Sequence, residues 1–442
     1  MNKRKLINYA LWIFIALFVI YEIYSEVGYK NNFGVMFTNL IITIISVFFL
    51  VFGDRYNFSL NKIFYTFSLI FFGIAPAFQY KYNVVFWNMG DFNDEDYFRT
   101  NLLIIFILIS YQTFYYLFSK LKYKPRATNR KLYNPRSKTV TIFLFSLITT
   151  FFVMYYFNFN INSLLFRAFV THKFEERSLM LIFSNFIRPI PVILFIYYKT
   201  MEQNNKFIES LLLLLVLISN FPTSEARYYT GTLYIAILLV YIRSFFKKYM
   251  LFNNLLILAF LIFFPFLNNF RSNVTWNLNL NLKYSFLAGD FDSFQMFMKV
   301  VKENYITYGK QLLTVLLFFV PRSLWTNKSV GSGSLLANTY KFTWSNISMN
   351  FFGEGYINFG IFGVFLFVII LSFTNAIYDK FFWHSKENLS DWRKVYYLFF
   401  IGLEIFILRG DLLSSFAYSM GILASVYFTW KIIYENNFRL KI

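Results

Sequence analysis

The sequence predicts an all-α protein, a polytopic bundle of about twelve transmembrane helices. Hydrophobic residues make up 57% of the chain and charged residues only 14%, whereas soluble domains carry about 25% charged residues. Apolar runs of about 20 residues, the length that crosses a bilayer as a helix, recur along the whole chain. Lysine and arginine cluster in short segments between these runs, which is the pattern that orients membrane proteins. We therefore attribute the formal net charge of +20 to topology and not to nucleic-acid binding.

Each apolar run predicts one span. The first run follows Lys3, Arg4 and Lys5; it is long enough to span and no small-residue cleavage site follows it, so we interpret it as a retained helix and not as a signal peptide. The predicted spans begin near Leu6, Gly34, Lys62, Thr100, Val140, Leu181, Phe207, Tyr229, Met250, Tyr356, Val395 and Leu412.

The basic segment from Lys120 to Lys138 determines the predicted orientation, because it contains no acidic residue. Four predicted spans precede it, so this segment and the N-terminus both fall on the cytoplasmic side. The segment at 384–394 and the C-terminal tail fall on the same side, and the acidic segment at 91–96 falls on the other. Both termini are therefore predicted to be cytoplasmic.

Residues 271–351 are predicted to form one large extracytoplasmic segment between two late spans. The apolar piece at 311–321 inside it is too short to cross a bilayer, so we expect it to re-enter the membrane or to lie buried against the bundle. Long connections with structure of their own are usually functional. The sequence therefore predicts that the active surface lies on the outer face.

The stretch VPRSLWTNKSVGSG follows this apolar piece. It places two cations, an indole and a glycine-rich turn at the predicted membrane surface, where we expect them to contact an anionic lipid-linked substrate. The candidate substrate-contacting residues are Arg322, Trp325, Lys328 and Gly333.

Four arginines are predicted at the outer ends of spans, where charged residues are costly and suggest function. The guanidinium group donates in a planar fork that fits phosphate oxygens, so several such groups at one interface fit a pyrophosphate better than a neutral sugar. The alternative is that each arginine pairs with a nearby carboxylate or extends to lipid headgroups. The four candidates are Arg227, Arg271, Arg322 and Arg409.

Three carboxylates accompany these arginines in the sequence: Glu225, Glu354 and Asp411. Any of them could accept a proton from a sugar hydroxyl, which is the general-base step of glycosyl transfer. The alternative for each is an ion pair with the neighbouring arginine.

The motif GDFDSF contains a further acidic pair, Asp290 and Asp292. Such a pair could bind a divalent metal or contact a substrate. Phe291, Phe294 and Phe297 recur at helical spacing, however, and this favours an amphipathic surface helix capped by Asp292 over a metal site.

The remaining chemistry-bearing residues are few. We interpret His384 as structural, and His172 is a possible base in an outer loop. The chain has no cysteine, no clustered metal-ligand spacing and no phosphate-binding Gly-Lys-Ser/Thr loop. The sequence therefore predicts no metal or nucleotide cofactor.

Five segments resemble the O-antigen polysaccharide polymerase (Wzy-type) family, and they occur in that family's order. They are NFPTSEARYYTG, GDFDSFQM, VPRSLWTNKSVGSG, GEGYINFGIFGVF and LRGDLLSSF, which together extend over residues 220–416. Arg322 and Gly333 also fit the family's arginine and glycine separated by ten residues. The spans before residue 220 are similar to the family in hydropathy alone.

The resemblance implies a GT-C-like, metal-independent, inverting glycosyltransferase in the bacterial cytoplasmic membrane. Donor and acceptor would both be glycans on undecaprenyl pyrophosphate, joined on the outer leaflet as O-antigen or capsule repeat units, and a chain-length regulator could be a partner. Arg227 and Arg322, together with Arg271 or Arg409, would hold the pyrophosphate. Two other functions stay open: a related ligase that transfers the finished glycan, and a lipid-linked oligosaccharide flippase or other transporter. A transporter would be expected to place charged residues at mid-depth and to contain internal repeats.

Overall fold

A computed structural model describes residues 12–17, 20–21, 28–121, 135–167, 180, 183–201, 205–260, 286–347, 349–385 and 388–434. In these ranges all regular structure is helical and no strand occurs. The α-helices are α1 (Phe33–Phe52), α2 (Leu60–Lys81, with a π-helical turn at Leu69–Ile74), α3 (Asp94–Ser119), α4 (Pro135–Tyr156), α5 (Ile161–Leu165), α6 (Ile190–Thr200), α7 (Lys206–Ser219), α8 (Arg227–Tyr241), α9 (Ser244–Lys247), α10 (Leu251–Leu258), α11 (Ser293–Lys302), α12 (Lys310–Leu316), α13 (Ser332–Thr339), α14 (Phe351–His384), α15 (Trp392–Arg409) and α16 (Leu412–Tyr434).

Six helices of the described residues are long and apolar enough to cross a membrane: α1, α2, α3, α4, α14 and α16. They confirm the prediction of an α-helical membrane protein. Three further runs form the shorter helices α6, α7 and α8, of 11 to 15 residues. The run near Val395 forms α15, which has 18 residues. The runs near Leu6 and Met250 lie partly outside the described residues. The count of twelve spans therefore stays a prediction.

Helix α14 is a hairpin of two helices and not one straight rod. Phe359 and Gly360 have non-helical backbone angles, and Gly360 has a φ of 62°, which glycine adopts without steric cost. On the far sides of this turn the rings of Phe351 and Phe367 lie 4.9 Å apart. In a straight helix sixteen residues would separate them by about 24 Å. Residues 351–358 therefore fold back against residues 361–384, and the backbones of Gly355 and Gly363 are in contact.

Helix α15 runs antiparallel to α14 at the centre of the bundle, and most of its residues are buried. Glu404 on α15 accepts a hydrogen bond from Asn375 on α14 over 2.7 Å, which aligns the two helices. Arg409, at the end of α15, lies five residues after Glu404. On the antiparallel α14, the long arm at 361–384 begins fourteen residues before Asn375. With a rise of 1.5 Å per residue, α15 ends about 13 Å below the start of that arm. The turn between α15 and α16 thus lies deeper along the bundle than the turn at Phe359 and Gly360.

The predicted outer segment forms three short helices, α11 to α13, in the part that the structure describes. Helix α11 is buried along almost its whole length, so the expectation of an amphipathic surface helix was wrong. Its apolar face packs on α14, α3 and α2, and those neighbours cover the side that the sequence pattern assigned to a membrane surface.

The apolar piece at 311–321 contains α12, whose seven residues are too few to cross a bilayer. Helix α12 packs on α14 and α16, while Leu313, Leu316 and Phe319 stay exposed. The arm at 351–358 also folds back against the bundle, in a region where the sequence analysis predicted a single span beginning near Tyr356.

Candidate functional site

Four of the residues selected from the sequence meet at one end of the bundle. Arg227 begins α8, Arg409 ends α15, and Asp290 and Asp292 directly precede α11. We call these four residues the arginine–aspartate cluster, and the end of the bundle on which they lie the arginine end. They come from three elements that are distant in sequence, so it is the folded chain that creates this concentration of charge.

The cluster is built from two ion pairs of different burial. Arg227 Nη1 lies 3.4 Å from Asp290 Oδ2, and these side chains are 27% and 28% exposed. Arg409 Nη2 lies 3.4 Å from Asp292 Oδ1, and these side chains are 12% and 3% exposed. Both distances exceed the 2.7–2.9 Å that is typical of strong charge-assisted hydrogen bonds. The arginines are therefore held beside their carboxylates by contacts longer than the optimum.

Further contacts fix the inner ion pair. Arg409 Nε donates to the carbonyl oxygen of Asp290 over 3.1 Å, and the guanidinium lies 5.0 Å from the ring centroid of Tyr228. Trp87 Nε1 donates to Asp292 Oδ2 over 2.8 Å. Trp87 also packs against Gly289, where a Cβ atom would stand 2.4 Å from the indole. A glycine is therefore required before Asp290.

Asp292 occupies the N-cap position of α11 but makes no side-chain capping hydrogen bond, because its oxygens face Trp87 and Arg409. Burial raises the pKa of Asp292, and the charge of Arg409 and the indole hydrogen bond oppose that rise. Asp292 therefore lies at the predicted N-cap position, but its side chain does not cap the helix. In the described residues no group of three His, Asp or Glu side chains forms a potential metal site.

Glu354 and Asp411 form a second group, which we call the acid pair. Glu354 Oε2 accepts from Ser332 Oγ over 2.6 Å, and Glu354 Oε1 accepts from the Leu412 amide over 3.1 Å. Asp411 accepts from the amides of Gly333 and Leu413 over 3.4 and 3.0 Å. The acid pair therefore lies where the N-termini of α13, α14 and α16 converge.

The convergence of three helix N-termini favours negative charge, because their amide dipoles point toward the carboxylates. Burial nevertheless raises the pKa of Asp411, and its backbone hydrogen bonds oppose that rise. A Cβ atom at Gly331 would stand 2.3 Å from Asp411 Oδ2, so only glycine admits this approach. Repulsion between the two neighbouring carboxylates disfavours ionisation of both at once, which makes the acid pair a possible proton acceptor and donor.

The two cations of the stretch at 320–333 bind backbone carbonyls of the stretch and of the residues just before it. Arg322 donates to the carbonyl oxygens of Lys328 and Ser329. Lys328 Nζ donates to the carbonyls of Leu317, Phe318 and Val320 over 3.2, 2.7 and 2.8 Å and so caps the end of α12. Arg322 is exposed, Trp325 is half-buried and Lys328 is buried. Ser332 and Gly333, at the end of the stretch, donate to the acid pair and so place the stretch beside it.

Glu225 pairs with a partner that the sequence analysis missed. Its carboxylate forms an ion pair with Arg188, and Arg188 also donates to the Ser219 carbonyl and Ser224 Oγ over 2.9 and 2.7 Å. Arg188 is 2% exposed. The alternative in which Glu225 pairs with Arg227 is therefore wrong, as is that in which Arg409 pairs with Asp411. Arg188 could have been identified from the sequence, because it is an arginine inside the apolar run that begins near Leu181.

The other candidates lie away from these groups. Arg271 and His172 lie outside the described residues. His384 ends α14, at the end of the bundle opposite the arginine end, with Nδ1 3.4 Å from the hydroxyl of Tyr56.

No family model matches the chain, and no curated protein or solved structure matches it significantly.

Proposed function

We propose that the chain is a polymerase of undecaprenyl-pyrophosphate-linked repeat units, with about twelve spans in a GT-C-like arrangement and its site on the outer leaflet. The observation that carries the proposal is the arginine–aspartate cluster, which lies next to the buried acid pair at the turn between α15 and α16. Two guanidinium groups fit a diphosphate, and a neighbouring carboxylate fits a proton acceptor.

In the proposed reaction the diphosphate of the donor replaces Asp290 and Asp292 as the partner of Arg227 and Arg409. A hydroxyl oxygen of the acceptor glycan attacks the anomeric carbon of the donor. The bond from that carbon to the diphosphate oxygen breaks with inversion, and undecaprenyl diphosphate leaves with the bonding electron pair. The hydroxyl proton passes to the acid pair. The chain supplies alignment and charge stabilisation, and Arg322 supports the adjoining loop.

The test is turnover of a synthetic lipid-linked repeat unit by the purified protein, without nucleotide or added metal, with product length read on a gel. Arg227→Lys and Arg409→Lys should each lower kcat/KM by about tenfold or more, because a charge-assisted hydrogen bond contributes about 1.5–3 kcal/mol. Arg243→Lys, at the other end of α8, is the matched control and should turn over normally. Normal turnover by both test variants, or no turnover by the wild-type protein, would reject the proposal.

One observation favours a second candidate, a lipid-linked oligosaccharide transporter. Glu404 is fully buried on α15, away from either end of the helix, although we expected the informative charges to lie only at span ends. Translocation of a fluorescent lipid-linked oligosaccharide in proteoliposomes, without any increase in glycan length, would favour this candidate. Longer glycans would favour the polymerase. A ligase would transfer the glycan to a different acceptor, which mass spectrometry of the product distinguishes.

A further inference from the structure

Glu404 is a carboxyl group in the interior of the bundle that the proposed polymerase does not use. It lies five residues from the Arg409 end of α15 and twelve from Trp392, or about 8 Å and 18 Å along the helix. Its side chain is fully buried, and its neighbours Leu403 and Ile405 are buried as well. A charge at this position would lie among buried side chains in the interior of the bundle.

The contacts of Glu404 are too few to stabilise an anion. Its Oε1 accepts from Asn375 Nδ2 over 2.7 Å, and the same nitrogen lies 3.0 Å from the hydroxyl oxygen of Tyr111. Among the residues that the structure describes, Glu404 Oε2 and Asn375 Oδ1 are both buried without a hydrogen-bond partner, and no cation pairs with the carboxyl group. Buried acceptors are rarely left unsatisfied, so this group needs a donor.

Asp379, one turn beyond Asn375 on α14, provides the comparison. Its carboxylate accepts from the amides of Leu60 and Asn61 at the start of α2 over 2.8 and 3.2 Å. It also accepts from the hydroxyls of Tyr115 and Tyr397. Four donors and a helix N-terminus satisfy a negative charge. Glu404 has one donor and no such terminus, and the groups that face it, namely Tyr111, Tyr396 and Asp379, add no positive charge.

We propose that Glu404 is a proton-binding site at the centre of the bundle, oriented by Asn375 and Tyr111, and that a bound proton keeps its carboxyl group neutral. An isolated carboxylate in an apolar medium is strongly disfavoured, and the proton supplies the donor that the two unsatisfied acceptors require. Release of the proton would place a negative charge between α3, α14 and α15. Carboxyl groups inside membrane bundles commonly serve as such relay sites. The proposal is independent of whether the chain is a polymerase.

Infrared spectroscopy of the purified protein tests the proposal, because a carboxylic acid has a C=O stretch distinct from that of a carboxylate. The spectrum at neutral pH should lose carboxylic-acid intensity in Glu404→Gln. It should be unchanged in Glu209→Gln, whose carboxylate pairs with Lys199 over 2.9 Å. An unchanged carboxylic-acid band in a folded Glu404→Gln variant would overturn the proposal.

A second measurement needs no variant and serves if Glu404→Gln does not fold. Dicyclohexylcarbodiimide enters membrane interiors and reacts with protonated carboxyl groups, since the acid O–H adds across one C=N bond of the reagent. Peptide mapping of the wild-type protein should find the adduct on Glu404 and none on Glu209, whose carboxylate pairs with Lys199. If the variant is unfolded, absence of the adduct from Glu404 would overturn the proposal.

Discussion

Loss of the positive charge of Arg409 should destabilise the fold, because it leaves Asp292 as a buried carboxylate without a cation. The two side chains are 12% and 3% exposed, and removal of one member of a buried ion pair costs about 3–5 kcal/mol. We expect Arg409→Gln to lie at the lower end, about 3 kcal/mol, since the indole of Trp87 still donates to Asp292. The free energy of unfolding in detergent micelles measures this cost.

The double variant Arg409→Gln/Asp292→Asn separates the effect of charge from that of packing. With the carboxylate neutralised, the amide oxygen of Asn can still accept from Trp87, and we expect about 2 kcal/mol of the loss to be recovered as coupling between the two sites. The matched control is Arg99→Gln, which removes an ion pair with Glu95 whose side chains are 70% and 63% exposed, and it should cost less than about 0.5 kcal/mol. Effects of the two cluster substitutions that add to within about 0.5 kcal/mol would refute the reasoning.

Three further predictions concern the other groups. Glu225→Gln should cost about 3 kcal/mol of unfolding free energy, because Arg188 is left buried without a counter-charge; a cost equal to that of Glu209→Gln would contradict this. The raised pKa of Asp292 means that the folded state holds its proton longer than the unfolded state. Its contribution to stability therefore falls as pH rises above the ordinary pKa of 3.8. Asp292→Asn should remove this part of the pH dependence of the unfolding free energy, measured by urea titration at several pH values. An unchanged pH dependence in the variant would contradict the prediction. Asp411→Asn should lower kcat of glycan polymerisation by about 100-fold if the acid pair accepts the proton, with KM nearly unchanged; a change confined to KM would indicate a role in binding only.

The sequence was sufficient to predict the class of fold, because that depends on apolar length and on charge placement, which are local properties. It was also sufficient to select Arg227, Arg409, Asp290 and Asp292 one by one. Their pairing was not predictable, since Arg227 and Asp290 lie 63 residues apart and Arg409 and Asp292 lie 117 residues apart. The ion pairs that the sequence analysis considered as alternatives were all between sequence neighbours.

The errors have identifiable physical causes. Glu225 precedes the first residue of α8, so it faces the turn that holds Arg188, whereas Arg227 belongs to the helix and faces α11. The fold-back at Phe359 and Gly360 was missed because the apolar residues on its two sides have the composition of a single span. A positive φ at one glycine distinguishes the two structures, and hydropathy does not report it.

The contact between Gly355 and Gly363 has a consequence for how far this protein tolerates substitution. A Cβ atom at Gly363 would stand 1.9 Å from the carbonyl oxygen of Gly355, so even alanine must separate the two arms of the hairpin. Glu354 lies on the shorter arm, and its carboxyl group would move with it, away from Ser332 and Leu412. The two glycines thus determine the position of the Glu354 carboxyl group. We expect a methyl group at either glycine to impair the site as much as loss of that carboxyl group.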